Sequence, residues 1–143
     1  MNENQYSATV GKKLRTAGMF SWKINDNYAG GVPDMFIEGD VAEAWCENKY
    51  IKALPKRGTT MIDLTNTNKF LSQLQMDWLE RRWHRHKDAY VLVGCPEGDA
   101  LFQNLDWMTP ISTEDFRSRL ITRITLVEFF AGKTMENAYI PRA

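Results

Sequence analysis

Residues 89–95, with the sequence AYVLVGC, form an almost uninterrupted non-polar run. Such a run is typical of a strand that is buried on both faces of its sheet, because a strand with one face in water alternates polar and non-polar residues. No non-polar run in the chain approaches the roughly 18 residues that a membrane-spanning helix needs. We therefore predict an interior strand in a sheet that other elements cover on both sides.

Two amphipathic segments before this strand predict helices. The first covers residues 3–17, and Gly18 is a plausible end. The second covers residues 73–86, where Ser72 is a good N-cap and Ser72-x-x-Gln75 matches a capping box. The residues that share one face of the first helix are Glu3, Tyr6, Val10, Leu14 and Ala17.

The remaining segments predict the other strands and loops. Strands at 34–38 and 42–51 form a hairpin with a tight turn at Gly39-Asp40, one of the preferred turn pairs. We also expect a strand at 19–24, loops at 25–32 and 54–60, and an edge strand at 101–105, while the assignment of 61–71 stays open. A last helix is expected at Glu114–Ala131, with Ser112 or Thr113 as its N-cap and Gly132 at its end. The order, α-β-β-β-α-β followed by a strand and a helix, predicts an α/β fold with a mixed sheet flanked by helices.

Composition restricts the class of protein. The chain has 143 residues, of which 43% are hydrophobic and 12% aromatic, enough to bury the core of a single domain over 1–143. A disordered, fibrous or membrane-spanning chain is therefore excluded. The two cysteines, Cys46 and Cys95, make neither a disulfide framework nor a cysteine-based zinc site, and we expect buried free thiols. Because the N-terminus is polar and lacks a signal peptide, we expect a cytoplasmic protein.

Charge is balanced overall but uneven along the chain. The net charge is zero, with 18 basic and 18 acidic residues, which argues against a strongly basic nucleic-acid coat protein. Basic residues cluster between Arg81 and Lys87, whereas acidic residues gather between Asp34 and Glu47. This separation suits a protein that binds phosphate with one surface and a metal ion with another.

The segment most informative about chemistry is Gly31-Val32-Pro33-Asp34, followed after twelve residues by Glu47-Asn48-Lys49. Side chains alternate along a strand, so Glu47 and Lys49 point to the same face. If paired residue numbers in the hairpin sum to about 79, Asp34 lies across from Trp45 and diagonal to Glu47. A slip of one residue would move Asp34 to the other face, so this prediction depends on the register.

Two carboxylates and one ammonium group in this arrangement suit metal-assisted hydrolysis of a phosphodiester bond. Mg²⁺ prefers carboxylate oxygens, water and substrate phosphate, and we expect Asp34, Glu47 and the backbone carbonyl of Asn48 to bind it. Lys49 would orient the attacking water or stabilise developing negative charge. The alternative is a surface ladder of ion pairs on a hairpin, in which Glu47 pairs with Lys49 or Lys52.

These residues resemble a known family. Pro33-Asp34 followed by Glu47-x-Lys49 is similar to the motif of the PD-(D/E)xK nuclease superfamily, and with Leu71-Ser72, Gln75 and Trp78 the pattern resembles the virus-type replication-repair nuclease (VRR-NUC) family. The resemblance covers about residues 3–95 and implies a restriction-endonuclease-like αβββαβ core, with 96–143 as an extension of the same domain. It also implies a DNA nuclease dependent on Mg²⁺ or Mn²⁺. Small viral members are similar to Holliday-junction resolvases and act as homodimers.

The resemblance also implies roles for individual residues. It makes Asp34 and Glu47 metal ligands, Lys49 the catalytic lysine, Gln75 a residue of the active-site helix, and Glu3 a carboxylate from the first helix. Two of them also fit a purely structural role: Gln75 as the capping partner of Ser72, and Glu3 as a charge that favours the helix dipole. The middle residue of the E-x-K motif is usually non-polar in this family. Here it is Asn48, whose amide needs partners if it is buried.

Several cations are candidates for contacts with DNA phosphates. They are Lys52, Lys56 and Arg57 in the loop after the catalytic strand, Arg81, Arg82, Arg85 and Lys87 near the end of the second helix, and, as rivals, Lys12, Lys13 and Arg15 on the first helix. We favour the loop because it leaves directly from Lys49. His84 and His86 do not share a helix face, which argues against a metal site. We expect Trp78 to belong to the core, while Trp45 fits either the core or the lining of the site.

Together these observations predict a metal-dependent DNA endonuclease. The resemblance alone implies an origin in a virus, including phage, or in a mobile element, and a role in viral DNA replication, repair or recombination. Branched DNA, including Holliday junctions, is the expected substrate, because a homodimer places two sites on two strands. Cleavage of nicks, flaps or ordinary duplex is the alternative within the same fold. A non-catalytic nucleic-acid-binding module and an inhibitor of a host enzyme are the alternatives outside it. We expect no membrane partner and, for a viral protein, the cytoplasm of the host cell.

Overall fold

The computed structural model describes residues 1–24 and 30–136. Its helices are α1 (Glu3–Thr16), α2 (Gln73–His86), α3 (Thr113–Arg119) and α4 (Arg123–Thr134), and Asp106–Met108 forms a short 3₁₀ turn. Its strands are β1 (Phe20–Lys23), β2 (Met35–Glu38), β3 (Glu43–Tyr50), β4 (Met61–Ile62), β5 (Ala89–Cys95), β6 (Gly98–Phe102) and β7 (Ile111–Ser112). None of the helices in these two stretches is long and non-polar enough to cross a membrane.

Five strands form the main sheet in the order β1-β2-β3-β5-β6. Strands β3 and β5 are parallel and the other neighbours are antiparallel, which confirms the predicted mixed sheet. Every residue of β5 is buried, as expected for an interior strand. The predicted α-β-β-β-α-β order is present in α1, β1, β2, β3, α2 and β5. Strand β4, inserted before α2, pairs with β7 in a separate two-stranded sheet.

Helices cover both faces of the main sheet. Tyr90 and Leu92 of β5 pack with residues of α1 and α4, whereas Val91 and Val93 pack with residues of α2 and α3, because alternate side chains point to opposite faces. The buried non-polar residues of these helices are Tyr6, Val10, Leu14, Leu126, Val127, Phe130 and Ala131 on the first face and Leu79 and Phe116 on the second. The sheet is therefore the middle layer of three.

The hairpin of β2 and β3 forms, but its predicted register and turn are wrong. Met35 pairs with Cys46, so paired residue numbers sum to 81, and the connection is residues 39–42 rather than a tight turn at Gly39-Asp40. The end of α4 holds this connection, since the Thr134 carbonyl accepts two of its backbone N–H groups at 3.0 and 3.2 Å. The register differs from the prediction by two residues, so every side chain stays on its predicted face.

The single C-terminal helix predicted at Glu114–Ala131 is two helices. Ile121 pairs with Asp99 of β6 through reciprocal backbone hydrogen bonds of 2.8 and 3.1 Å, which interrupt the helix between α3 and α4. Each helix begins at a side-chain cap, the predicted Ser112 for α3 and Thr122 for α4. A tertiary contact, rather than a helix-breaking residue, therefore divides this segment.

The end of the last helix and the bounds of the edge strand also differ from the predictions. Gly132, expected to end the last helix, lies inside α4. The edge strand is Gly98–Phe102 instead of 101–105, because it pairs with β5 directly after a short turn. The predicted loop at 25–32 lies partly outside the described residues, which omit 25–29.

Candidate metal centre

Three carboxylates meet at one end of the β2–β3 hairpin. Asp34 immediately precedes β2 and, by continuation of the register, lies opposite Glu47 of β3. Glu3 approaches both from the first turn of α1. One carboxylate oxygen from each of the three residues lies within 4.8 Å of those from the other two. The structure thus brings together both predicted metal ligands and the predicted first-helix carboxylate.

Glu47 is the buried member of this cluster. Its side chain is 1% exposed, and neither carboxylate oxygen has a hydrogen bond from the residues that the structure describes. Burial, followed by the neighbouring Asp34 carboxylate, raises the pKa of Glu47 to about 9. The Lys49 ammonium nitrogen lies 3.4 Å from Glu47 Oε2 and 3.9 Å from Glu3 Oε1. One ammonium group therefore pairs with two of the three acidic side chains.

The three residues fit a divalent cation. Carboxylate oxygens are the ligands that Mg²⁺ and similar hard ions prefer. Buried carboxylate oxygens without hydrogen bonds are costly unless another group satisfies them, and a cation among the three carboxylates would do so. The Glu3 side chain is 44% exposed, so the cluster is open to solvent on that side.

Asn48, the polar residue in the E-x-K motif, has partners in two elements. Its backbone N–H donates to Asp34 Oδ2 at 3.2 Å, and its buried side-chain Nδ2 donates to Ser7 Oγ at 3.1 Å. Ser7 lies one helical turn after Glu3 on α1, so the two side chains share a helix face. Asn48 thus connects Asp34 with the face of α1 that carries Glu3. Ser7 was not among the predicted site residues, although the polar middle residue of the motif indicated that a buried partner was needed.

Gln75 forms the predicted capping box at the start of α2. Its Oε1 accepts the Ser72 N–H at 2.9 Å, and its own N–H donates to Ser72 Oγ at 3.2 Å. The segment leading to Asp34 packs on this turn, because a Cβ on Gly31 would lie 2.4 Å from the Leu74 carbonyl oxygen. Among the described residues, no hydrogen bond joins Gln75 to the three carboxylates, so its catalytic role stays a prediction.

The predicted DNA-binding cations differ in their availability. Arg82 is partly buried and donates to both oxygens of Asp88 at 2.8 Å and to Glu43 at 2.9 Å, so its guanidinium is engaged within the protein. The other predicted cations are exposed: Lys52, Lys56, Arg57, Arg81, Arg85 and Lys87.

Comparison with known proteins identifies the fold. No family model matches the chain, and neither does any curated protein. Among solved structures, the chain is similar to Hjc, a Holliday junction resolvase from the archaeal hyperthermophile Archaeoglobus fulgidus. The TM-score is 0.58 with 17% sequence identity, over 90% of this chain and 98% of Hjc. The similarity shows that the chain has the restriction-endonuclease-like fold expected from its sequence.

Proposed function

We propose that this protein is a metal-dependent DNA endonuclease that acts on branched DNA, including Holliday junctions. The observation that carries the proposal is the buried Glu47 carboxylate, which lacks hydrogen bonds among the described residues and clusters within 4.8 Å of Asp34 and Glu3. Lys49 beside it completes the set of groups that phosphodiester hydrolysis needs. The similarity in fold to a Holliday junction resolvase supports branched DNA as the substrate.

The residues of the cluster have distinct roles in this proposal. Asp34, Glu47 and Glu3 hold the cation, with the backbone carbonyl of Asn48 as a further ligand. A divalent cation bound there supplies Lewis-acid activation of water and neutralises negative charge at the phosphate. Lys49 orients the attacking water or stabilises the negative charge that develops on the phosphate oxygens.

We place the DNA backbone on the loop after β3. This loop carries three exposed cations, Lys52, Lys56 and Arg57, and it begins directly after the strand that holds Lys49. Arg85 and Lys87 at the end of α2 are also exposed, but they lie near the start of β3, at the opposite end of that strand from the loop, so they form a separate basic patch. Arg82 is left out of this proposal, because Asp88 and Glu43 already engage its guanidinium.

The sequence motif supports finer assignments. We propose a single-domain nuclease of the VRR-NUC type that uses Mg²⁺, for which Mn²⁺ can substitute. A homodimer would place two sites on the two strands of a junction. The proposed setting is the replication, repair or recombination of viral or phage DNA in the cytoplasm of the host cell.

Cleavage of defined substrates tests the proposal. Purified protein is incubated with labelled four-way junction, nicked duplex, flap and linear duplex, each with Mg²⁺, Mn²⁺ or a chelator. We expect junction cleavage only with metal ion, and a loss of roughly 100-fold or more in Glu47→Gln and Lys49→Met. Glu80→Gln, which changes an exposed carboxylate of α2, is the matched control and should retain activity.

Two results would change the conclusion. DNA binding without cleavage of any substrate would contradict the nuclease and indicate a nucleic-acid-binding module with this fold. Metal-dependent cleavage that prefers nicks, flaps or linear duplex would support the nuclease activity but contradict the proposed selectivity for junctions.

A further inference from the structure

A cavity lies between helix α1 and strand β1, beside the metal centre. Its volume is about 220 Å³, whereas a water molecule occupies about 30 Å³ of the liquid, so the cavity has room for a group larger than water. Some of its lining residues are exposed, so a ligand can enter it from solvent. The polar residues that line this α1–β1 cavity are Asn4, Ser7, Arg15, Ser21, Lys23 and Asp34.

A glycine in the middle of α1 keeps the α1–β1 cavity open. Gly11 is buried and lines the cavity, and a Cβ at this position would lie 3.1 Å from Arg15 Nη1 and 3.6 Å from Ser21 Oγ. Glycine inside a helix is less favourable than alanine, because it loses more conformational freedom on folding. The sequence therefore keeps a space that the better helix-forming residue would narrow.

A buried hydroxyl group without a partner faces this space. Ser21 pairs with Ile37 of β2 and lies on the face of the sheet that α1 covers. Its side chain is 2% exposed, and its Oγ has no hydrogen-bond partner among the described residues. A buried hydroxyl group is unfavourable unless it is hydrogen-bonded, so a ligand in the α1–β1 cavity that accepts its proton would stabilise it.

Two cations in the lining indicate that the ligand is an anion. Arg15 Nη1 donates to the Ser21 carbonyl oxygen at 2.9 Å, which holds the guanidinium beside the Ser21 hydroxyl. The Lys23 ammonium group donates to Asn4 Oδ1, next to Glu3 of the metal centre. In residues 1–24 and 30–136, neither cation has an ion-pair partner. A hydroxyl donor between an arginine and a lysine suits a phosphate group.

We propose that the α1–β1 cavity binds a backbone phosphate of the DNA strand that is cleaved, next to the phosphate at the metal centre. The inference rests on the proposed function, in which a divalent cation offsets the repulsion between Asp34 and this phosphate. A fixed neighbouring phosphate would set the register of the strand, and hence which phosphate meets the metal ion.

The position of the α1–β1 cavity gives the DNA strand two points of attachment. The loop after β3 leaves on the side of β5, because the Ile51 N–H donates to the Gly94 carbonyl oxygen of β5 at 2.8 Å. Strand β1 lies on the other side of β2 and β3, at the edge of the sheet. The metal centre therefore lies between the basic loop and the α1–β1 cavity.

Replacement of single phosphates by neutral methylphosphonate tests the inference. The replacement is moved one position at a time through the centre of a labelled four-way junction, and binding is measured by fluorescence anisotropy in chelator. Every chain carries Asp34→Asn, so that neither cleavage nor the charge of Asp34 interferes. We expect one position near the centre at which the neutral group weakens binding about tenfold.

Variants of the lining connect that phosphate with the α1–β1 cavity. Ser21→Ala and Lys23→Met should each weaken binding of the unmodified junction about tenfold and make the protein indifferent to the neutral group at that position. Lys133→Met, which removes an exposed cation at the end of α4, is the matched control and should keep the full effect. The Tm of Ser21→Ala should not fall, because the variant removes a buried hydroxyl group that has no partner among the described residues.

Two results would overturn the inference. One is a scan in which no single phosphate matters. The other is a sensitive position whose effect is the same in Ser21→Ala and Lys23→Met as in the parent chain; either would mean that the α1–β1 cavity holds only water. Cleavage by the natural chain is measured separately. Absence of cleavage together with the expected phosphate effect would contradict the nuclease but support the α1–β1 cavity as a DNA-binding site.

Discussion

Burial of the Glu47 side chain disfavours its ionised form and raises its pKa. In the absence of a metal ion, the folded protein keeps a proton on Glu47 up to a pKa of about 9, whereas the unfolded chain loses that proton near its ordinary value of 4.5. Between these values the unfolded state binds fewer protons, so the free energy of unfolding falls as the pH rises. Below pH 4.5 both states are protonated, and this loss of stability is absent.

Replacing Glu47 with Gln should remove this pH dependence while keeping the shape of the side chain. In chelator at pH 8, we expect the Tm of Glu47→Gln to exceed that of the natural protein by roughly 5 °C. The difference should shrink toward zero well below pH 4.5, where the natural side chain is neutral in both states. Thermal melts followed by circular dichroism measure this, with Glu80→Gln as the control. A natural protein that is more stable than the variant at pH 8 would refute the argument.

Periodicity along the chain explains why most residues of the centre were predictable. Glu47 and Lys49 share a face because they are two residues apart on a strand, and Glu3 belongs to the helical stripe of α1. The error of two residues in register did not move Asp34 to the other face, because side-chain directions repeat every second residue. The partnership of Asn48 with Ser7 depends on how α1 packs on β3, which no local pattern records.

Whether a helix or strand could be predicted from the sequence depends on whether local or tertiary contacts define its ends. The non-polar run of β5 and the capping box of α2 are local features, and both formed as predicted. The connection at 39–42 depends on Thr134 at the end of α4, and the break between α3 and α4 depends on a pairing with β6. Both features were predicted wrongly because they depend on contacts between segments that are far apart in the chain.

The hydrogen bond between Asn48 and Ser7 should set the position of α1, and hence of Glu3, at the metal centre. We expect Ser7→Ala and Asn48→Leu to lower the affinity for Mn²⁺ roughly tenfold, as measured by isothermal titration calorimetry, while the fold is retained. Thr16→Ala, which removes another hydroxyl from α1, is the control. In a Glu3→Gln background the same changes should add little. An equal loss of Mn²⁺ affinity in the natural chain and in the Glu3→Gln variant would show that the Asn48–Ser7 hydrogen bond does not act through Glu3.

At the scale of the whole molecule, a buried carboxylate joins helices from both ends of the described chain. Asp99 of β6 accepts hydrogen bonds from Tyr6 Oη of α1 and from Arg123 Nε of α4, each at 2.7 Å. Helices α1 and α4 cover the same face of the sheet, so one residue secures both to it. The three residues are widely separated in sequence and form no local motif. Helical spacing placed Tyr6 on the apolar face of the first helix, but no pattern in the sequence indicated its contact with Asp99 and Arg123.

Loss of this carboxylate should destabilise the molecule as one unit. Asp99→Asn leaves the partly buried Arg123 guanidinium without a counter-charge, and we expect the free energy of unfolding to fall by about 2 kcal/mol. Glu97→Gln, two residues earlier, breaks an exposed pair with Arg117 and should cost less than about 1 kcal/mol. Urea unfolding, followed by circular dichroism and tryptophan fluorescence, compares the two variants. Coincident transitions with an unchanged m-value would show that Asp99 stabilises the fold as a whole. Separate transitions would mean that it secures only one helix.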